Sequence, residues 1–119
     1  MDGMSDTSEQ LRAAAEKLNV GGYTRHVFLC TGPSCCTPEI GLEAWEALKK
    51  ELKARGLTDG THRTKAACLR ICCHGPTMVV YPEGTWYHGM TAERIPRFVQ
   101  EHLIEGRPVA EWVFARNPI

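Results

Sequence analysis

The sequence predicts an α/β fold in which a βαβ unit is followed by a β-hairpin and a C-terminal helix around one mixed sheet. Three observations lead there. Two strand-like runs, residues 26–29 and 61–67, each lead into a loop that carries cysteines. A capped amphipathic segment of helical period lies between them. Downstream, residues 77–81 and 85–88 are rich in β-branched and aromatic side chains and flank a tight turn at 82–84.

Each element has its own local warrant. Thr7 and Gln10 fit a capping box, and Leu11, Ala14, Ala15 and Leu18 share one helical face before Gly21 and Gly22 stop the run. So short a helix must lie against the body or a partner to persist. Residues 1–22 are therefore expected to form an N-terminal helical extension, with the domain proper over 23–119. His26-Val27-Phe28-Leu29 reads as a buried strand and runs straight into Cys30. Thr37 is placed to cap the next helix, and Pro38 suits its first turn. Gly41, Ala44, Trp45, Leu48 and Leu52 line its apolar face, Glu46 and Lys50 are expected to pair on its wet side, and Gly56 ends it. Residues 91–94 read as one capped turn. Pro96 cannot sit deep in a helix, so the last helix starts near it and runs through Phe98, Val99, Leu103 and Ile104 to Gly106.

The strands of a βαβ unit are parallel, and the crossover is almost always right-handed. The loops after the two strands then leave the same edge of the sheet, where open α/β sheets place their ligands. That brings Cys30–Cys35 and Cys68–Cys72 to one place.

Bulk properties exclude several partner classes. A chain of 119 residues is one domain, long enough to bury a core. Lys+Arg and Asp+Glu balance at 14 each, which leaves no electrostatic footprint for nucleic acid or an anionic membrane. No apolar run approaches a membrane span. The start of the chain is polar and acidic, without the basic and apolar regions of a signal peptide. The expected home is the cytoplasm, where an even number of cysteines is better read as metal-binding than as a disulfide framework.

The cysteines carry the chemistry. They fall as Cys30-x4-Cys35-Cys36 and Cys68-x3-Cys72-Cys73, and four thiolates on one site are soft ligands that suit zinc or an iron–sulfur cluster. A plant-type ferredoxin pattern would need a cysteine where Pro38 stands, and the bacterial cluster run is absent. No Cys-x-x-Cys occurs, which argues against a thiol–disulfide oxidoreductase. Structural zinc mostly favours tighter spacings, although four intervening residues are permitted. There is no phosphate-cradling loop, nucleophile elbow or recognisable carboxylate pair, so no catalytic residue is assigned.

Taken with its flanks, the pattern carries a resemblance. Cys30-x4-Cys35, then Cys68-Leu69-Arg70-Ile71-Cys72-Cys73-His74-Gly75-Pro76, then the strand from Met78 to Tyr81 and on through Trp86 and Tyr87, resembles the thioredoxin-like [2Fe–2S] ferredoxins. It is also similar to the peripheral [2Fe–2S] subunit of respiratory complex I. The resemblance covers residues 25–105. It implies a thioredoxin-like fold, a [2Fe–2S] cluster held by Cys30, Cys35, Cys68 and Cys72, and a one-electron carrier role. It also implies a homodimer that works between a reductase and an acceptor protein. The chain departs from the family in a shorter first loop and in the additional Cys36 and Cys73; residues 107–119 lie outside the match.

The residues leave alternatives open. A register in which Cys36 or Cys73 replaces its neighbour is one, against which both read more simply as small buried hydrophobes beside the loops. Gly32 and Gly75 are candidates to bring backbone N–H groups to cluster sulfurs, or are ordinary turn glycines. Histidine ligation by His74 is disfavoured by the four matched cysteines. Of Trp86 and Tyr87, one is expected in the core and the other is free to shield the site or meet a second copy. Trp112, Val113 and Phe114 are expected to pack on their own domain. The alternative function is a structural or regulatory metal module, either a zinc site or a cluster-bearing subunit of a larger complex.

Overall fold

The computed structural model describes residues 2–119, with side chains from residue 7 onward. Helix α1 (Asp2–Lys17) is followed by strand β1 (Arg25–Cys30), helix α2 (Pro38–Ala54) and strand β2 (Thr61–Ala66). The hairpin is β3 (Met78–Tyr81) and β4 (Thr85–Tyr87). Helix α3 (Ile95–Phe98) continues into a wider π turn over Val99–Ile104, and β5 (Val113–Arg116) closes the chain.

The sheet order is β2-β1-β3-β4-β5. β1 pairs with β2 in parallel, with Cys30 opposite Ala66, and every other pairing is antiparallel. This is the expected βαβ unit and hairpin in one mixed sheet. Side chains alternate across it. Val27, Leu29, Met78, Val80 and Tyr87 point to the helical side and pack with Ala44, Trp45, Leu48 and Leu52 of α2 and with Ile95, Phe98, Val99 and Leu103. The stripe read from the helical period is the buried face of α2. Burying a leucine such as Leu48 is worth roughly 1.5–3 kcal/mol. An exposed ion pair is worth well under 1 kcal/mol, so packing, not surface charge, fixes α2 on the sheet.

Helix caps follow the sequence closely at α2. Thr37 Oγ1 accepts the Ile40 N–H at 3.4 Å, and Gly56 adopts φ +68° just past the end. The wet-side pair differs: Glu46 meets Lys49 at 3.4 Å rather than Lys50, one turn step of three instead of four. Thr91 precedes the 3-10 turn Ala92–Arg94 without a side-chain cap bond.

Two expectations are corrected at the termini. α1 starts before Thr7, so Thr7 and Gln10 lie inside the helix and not at its cap. Its apolar stripe is also uncovered, with Leu11 67% and Leu18 60% exposed. The end of this segment is tied down by Asn19 Nδ2 donating to the Asp59 carbonyl at 2.7 Å and His62 Nε2 donating to the Leu18 carbonyl. Residues 107–119, unassigned in the sequence, supply a 3-10 turn (Ala110–Trp112) and the fifth strand. Trp112 and Val113 pack against the core as expected, and the guanidinium groups of Arg94 and Arg97 lie 4.8 and 4.9 Å from the Trp112 ring.

A buried polar chain ties the last elements to the sheet. The Val109 N–H donates to Tyr87 Oη (3.1 Å), and the Tyr87 hydroxyl then donates to His102 Nδ1 (2.6 Å). His102 Nε2–H donates to Glu83 (2.9 Å), which also accepts from Arg25 Nε at 2.8 Å. Arg25 Nη1 closes the circuit on the Leu103 carbonyl. This pattern requires a neutral His102, because a proton on Nδ1 would face the Tyr87 hydroxyl hydrogen. Burial holds the His102 pKa below its ordinary value, against the opposing pull of Glu83. Burial acts to raise Glu83, but its hydrogen bonds with His102, its own backbone and Arg25 outweigh that and leave it lowered. Tyr87 is pushed up to about 12, chiefly by burial.

Both lowered groups give stability that is complete above their unfolded values and lost as pH falls. The urea midpoint is therefore expected to be flat from neutrality to about pH 9 and to decline below about pH 6.5, the ordinary histidine value. It should fall again above about pH 10, as Tyr87 resists ionisation in the fold. His102→Gln should make that acid limb shallower. An acid limb of unchanged slope in the variant would refute the role given to His102. Tyr87→Phe leaves the Val109 N–H without its acceptor and should cost about 1–3 kcal/mol in a denaturation midpoint.

Candidate metal centre

The parallel register sets the site. Cys30 ends β1, and its N–H donates to the Thr77 carbonyl at 2.9 Å, while Thr31 N–H donates to the Ala66 carbonyl at 2.8 Å. Cys30 Sγ lies 3.7 Å from the Ala67 carbonyl oxygen, at the start of the second cysteine loop. The two loops thus leave adjacent strands at one sheet edge. They also touch directly: Gly75 N–H donates to the Cys35 carbonyl at 2.9 Å. A Cβ on Gly75 would stand 2.6 Å from the Cys35 carbonyl oxygen and 2.7 Å from its Cβ, so only glycine fits there. Gly32, at φ +89°, has the same role in the first loop, where a Cβ would strike the Cys36 carbonyl oxygen.

The four expected ligands form two pairs. Cys30 and Cys35 are joined by a disulfide in the structure and are buried, at 0% and 7% exposure. Their Cα atoms are 7.0 Å apart, at the long end of what a disulfide spans, and reduction of that bond would free both sulfurs as ligands. Cys68 and Cys72 have sulfurs 4.0 Å apart and are exposed. Among the described residues, no three His, Cys, Asp or Glu side chains converge on a single point. The pairs stand side by side on touching loops.

Of the other residues singled out, several take different roles from those expected. The N–H that reaches a ligand sulfur is that of Arg70, which donates to Cys68 Sγ at 3.1 Å from a backbone at φ +73°. Gly75 spends its N–H on Cys35, and its contribution is close approach. Sequence offers little signal for the Arg70 amide, since a backbone donor has no residue type. His74 accepts the Gly89 N–H through its carbonyl at 2.8 Å. Cys36 is half-buried, with its sulfur 3.7 Å from that of Cys35, whereas Cys73 is exposed and not a packed hydrophobe. Tyr87 is the core member of its pair. Trp86 lies on the opposite sheet face, 6.3 Å from the Phe114 ring.

The Cys72 thiol is raised above its ordinary value, first by its hydrogen bond with Cys68 and then by the charge of Cys68, with Arg70 pulling the other way. Two thiolates this close repel, and the positive charge of a coordinated metal ion would offset that repulsion. Burial pushes the Cys36 thiol up, opposed by the Gly41 N–H. The donor set is all sulfur, in two pairs, and fits a two-iron cluster with one pair on each iron.

Comparison with known proteins decides the family. The [2Fe–2S] ferredoxin of Clostridium pasteurianum is 34% identical over 93 residues, spanning 71% of this chain and 89% of that protein. The chain belongs to the [2Fe–2S] ferredoxin family. The ferredoxin of Aquifex aeolicus is 29% identical over 101 residues, covering 78% of this chain and 91% of its own. The solved thioredoxin-like [2Fe–2S] ferredoxin from that organism superposes with a TM-score of 0.74 at 28% identity, over 82% of this chain and 96% of the other. The fold is therefore thioredoxin-like. No protein-family model matches the chain.

The contact between the loops makes a specific prediction for this ferredoxin. Gly75→Ala should force the loops apart and lower iron and sulfide per chain by more than half, while Gly60→Ala, whose Cβ would meet nothing within 4 Å, should leave both unchanged. Full iron and sulfide in Gly75→Ala would show that the close approach is dispensable.

Proposed function

We propose that this chain is a one-electron carrier that holds a [2Fe–2S] cluster on Cys30, Cys35, Cys68 and Cys72. It would move electrons between a reductase and an acceptor protein. The observation that carries this reading is the arrangement of four cysteines in two pairs on touching loops, one pair joined and buried and the other free and exposed. When bound, the cluster would supply reversible one-electron chemistry. The chain's residues account for the rest. Cys30 and Cys35 would anchor the inner side, Cys68 and Cys72 would hold the outer side at the surface, and the Arg70 N–H would stabilise charge on Cys68 sulfur. No catalytic residue is assigned, and we read the protein as a carrier, not an enzyme.

The remaining assignments follow from the same reading. Residues 23–119 form the ferredoxin domain, and 1–22 are an extension. The sheet face away from the helices carries a row from Phe28 through Val79 to Trp86, in register across three strands, with His26 and Tyr81 beside it. That partly exposed face, with Val79 buried at its centre, supports a homodimer through the sheet. No helix among the described residues is long and apolar enough to cross a membrane, and we place the protein in the cytoplasm with redox proteins as partners.

The test is the visible spectrum of protein purified without oxygen, before and after dithionite. Broad visible bands that bleach on reduction are expected. Alanine at Cys30, Cys35, Cys68 or Cys72 should abolish most of that absorption, while Cys36→Ala and Cys73→Ala should retain it. A colourless protein containing zinc, or loss of colour only in the Cys36 or Cys73 variants, would overturn the assignment.

A further inference from the structure

The charges of this chain cancel overall but not around the exposed cysteine pair. From Thr61 to Tyr81 there is no Asp or Glu, while Arg63, Lys65 and Arg70 are cationic, with His74 beside them. Lys65 and Arg70 are exposed and stand three residues before and two residues after Cys68 in the chain, with the Lys65 ammonium 6.0 Å from the Trp45 ring. The acidic groups at this end of the molecule, Glu39 and Glu43, lie on the first turns of α2 beside the buried pair's loop. Next to Cys72, a hollow of about 380 Å³ is lined by Ile71, Cys73, His74, His88 and Phe114, mostly with apolar surface. A mostly apolar hollow has the composition of an interface core.

We infer that the face around Cys68 and Cys72 is a basic docking surface for a redox protein that presents acidic side chains. The inference rests on the electron-carrier reading given above and adds which side of the site exchanges electrons and with what charge type. Cys30 and Cys35 are closed off by the first loop, so a partner approaches nearest over Cys68 and Cys72. Complementary charge there orients the encounter and raises its rate. The bound thiolates are themselves anionic, so the diagnostic quantity is the change between variants rather than the sign for the unmodified protein.

The experiment uses two small oxidants of opposite charge on the dithionite-reduced, cluster-loaded protein. Each protein molecule gives up one electron, reducing either hexacyanoferrate(III) to hexacyanoferrate(II) or hexaamminecobalt(III) to its cobalt(II) form. Rates are compared at low salt for Arg70→Glu, Lys65→Glu and Lys53→Glu, with iron content and reduction potential measured for each. Lys53 is exposed at the far end of α2, about 24 Å from its start. Arg70→Glu and Lys65→Glu should slow the anionic oxidant and speed the cationic one by roughly three- to tenfold, an effect that added salt removes. Lys53→Glu, with the same change in net charge, should move neither rate. If Lys53→Glu matches the other two, or if Glu39→Lys has the larger effect, the basic face is not where electrons leave and the inference falls. If the unmodified protein neither bleaches with dithionite nor reacts with either oxidant, the electron-carrier reading itself falls.

Discussion

The parallel pairing of β1 with β2 is the constraint on which the site depends. Two parallel neighbours must be joined by a crossover, here α2, and their following loops emerge from one edge. With Cys30 opposite Ala66, the first cysteine of each loop leaves the sheet at the same level. The hydrogen bond from Gly75 to Cys35 then closes the loops on each other. No contact between distant surfaces is needed to gather the four cysteines. The asymmetry within the site has the same origin. The first loop is packed under the start of α2, where Gly41 lies against the Thr31 backbone, while the second follows an edge strand and stays in solvent.

The rest of the molecule holds that edge in place. Core packing of α2 and α3 on one sheet face supplies most of the stabilisation. The chain from Arg25 through Glu83, His102 and Tyr87 to Val109 fastens the opposite end of the sheet. It links the hairpin turn, the last helix and the segment leading into β5, so the C-terminal strand is part of the frame and not a tail. The price of a buried polar chain is pH sensitivity, since one of its members must stay neutral.

Much of this was legible in the residues. The α2 stripe was read correctly because its spacing has only one helical solution, and the hairpin because Gly84 supplies the left-handed turn position between two β-branched runs. The cysteine pairs followed from topology, once the two strands were placed. What escaped was non-local. β5 is four residues long and pairs with β4 across an intervening helix, so its Val-Phe-Ala-Arg run carries no local strand signature. The stripe on α1 was visible, but a stripe does not say what covers it, and Leu11 and Leu18 remain exposed. Sequence offers Gly75 either as a donor to sulfur or as an ordinary turn glycine; it matters because the Cys35 backbone stands where a side chain would be. The Arg70 amide was missed because backbone geometry, not side-chain chemistry, places it.

The central claim is that two irons are held by these two pairs, Cys30 with Cys35 and Cys68 with Cys72. A crystal structure of protein purified without oxygen, with anomalous scattering recorded at the iron edge, tests it most directly. The account predicts two adjacent iron peaks, the inner one bonded to Cys30 and Cys35 and the outer one to Cys68 and Cys72. A single metal peak, a zinc edge in place of iron, or bonds to Cys36 or Cys73 would contradict it.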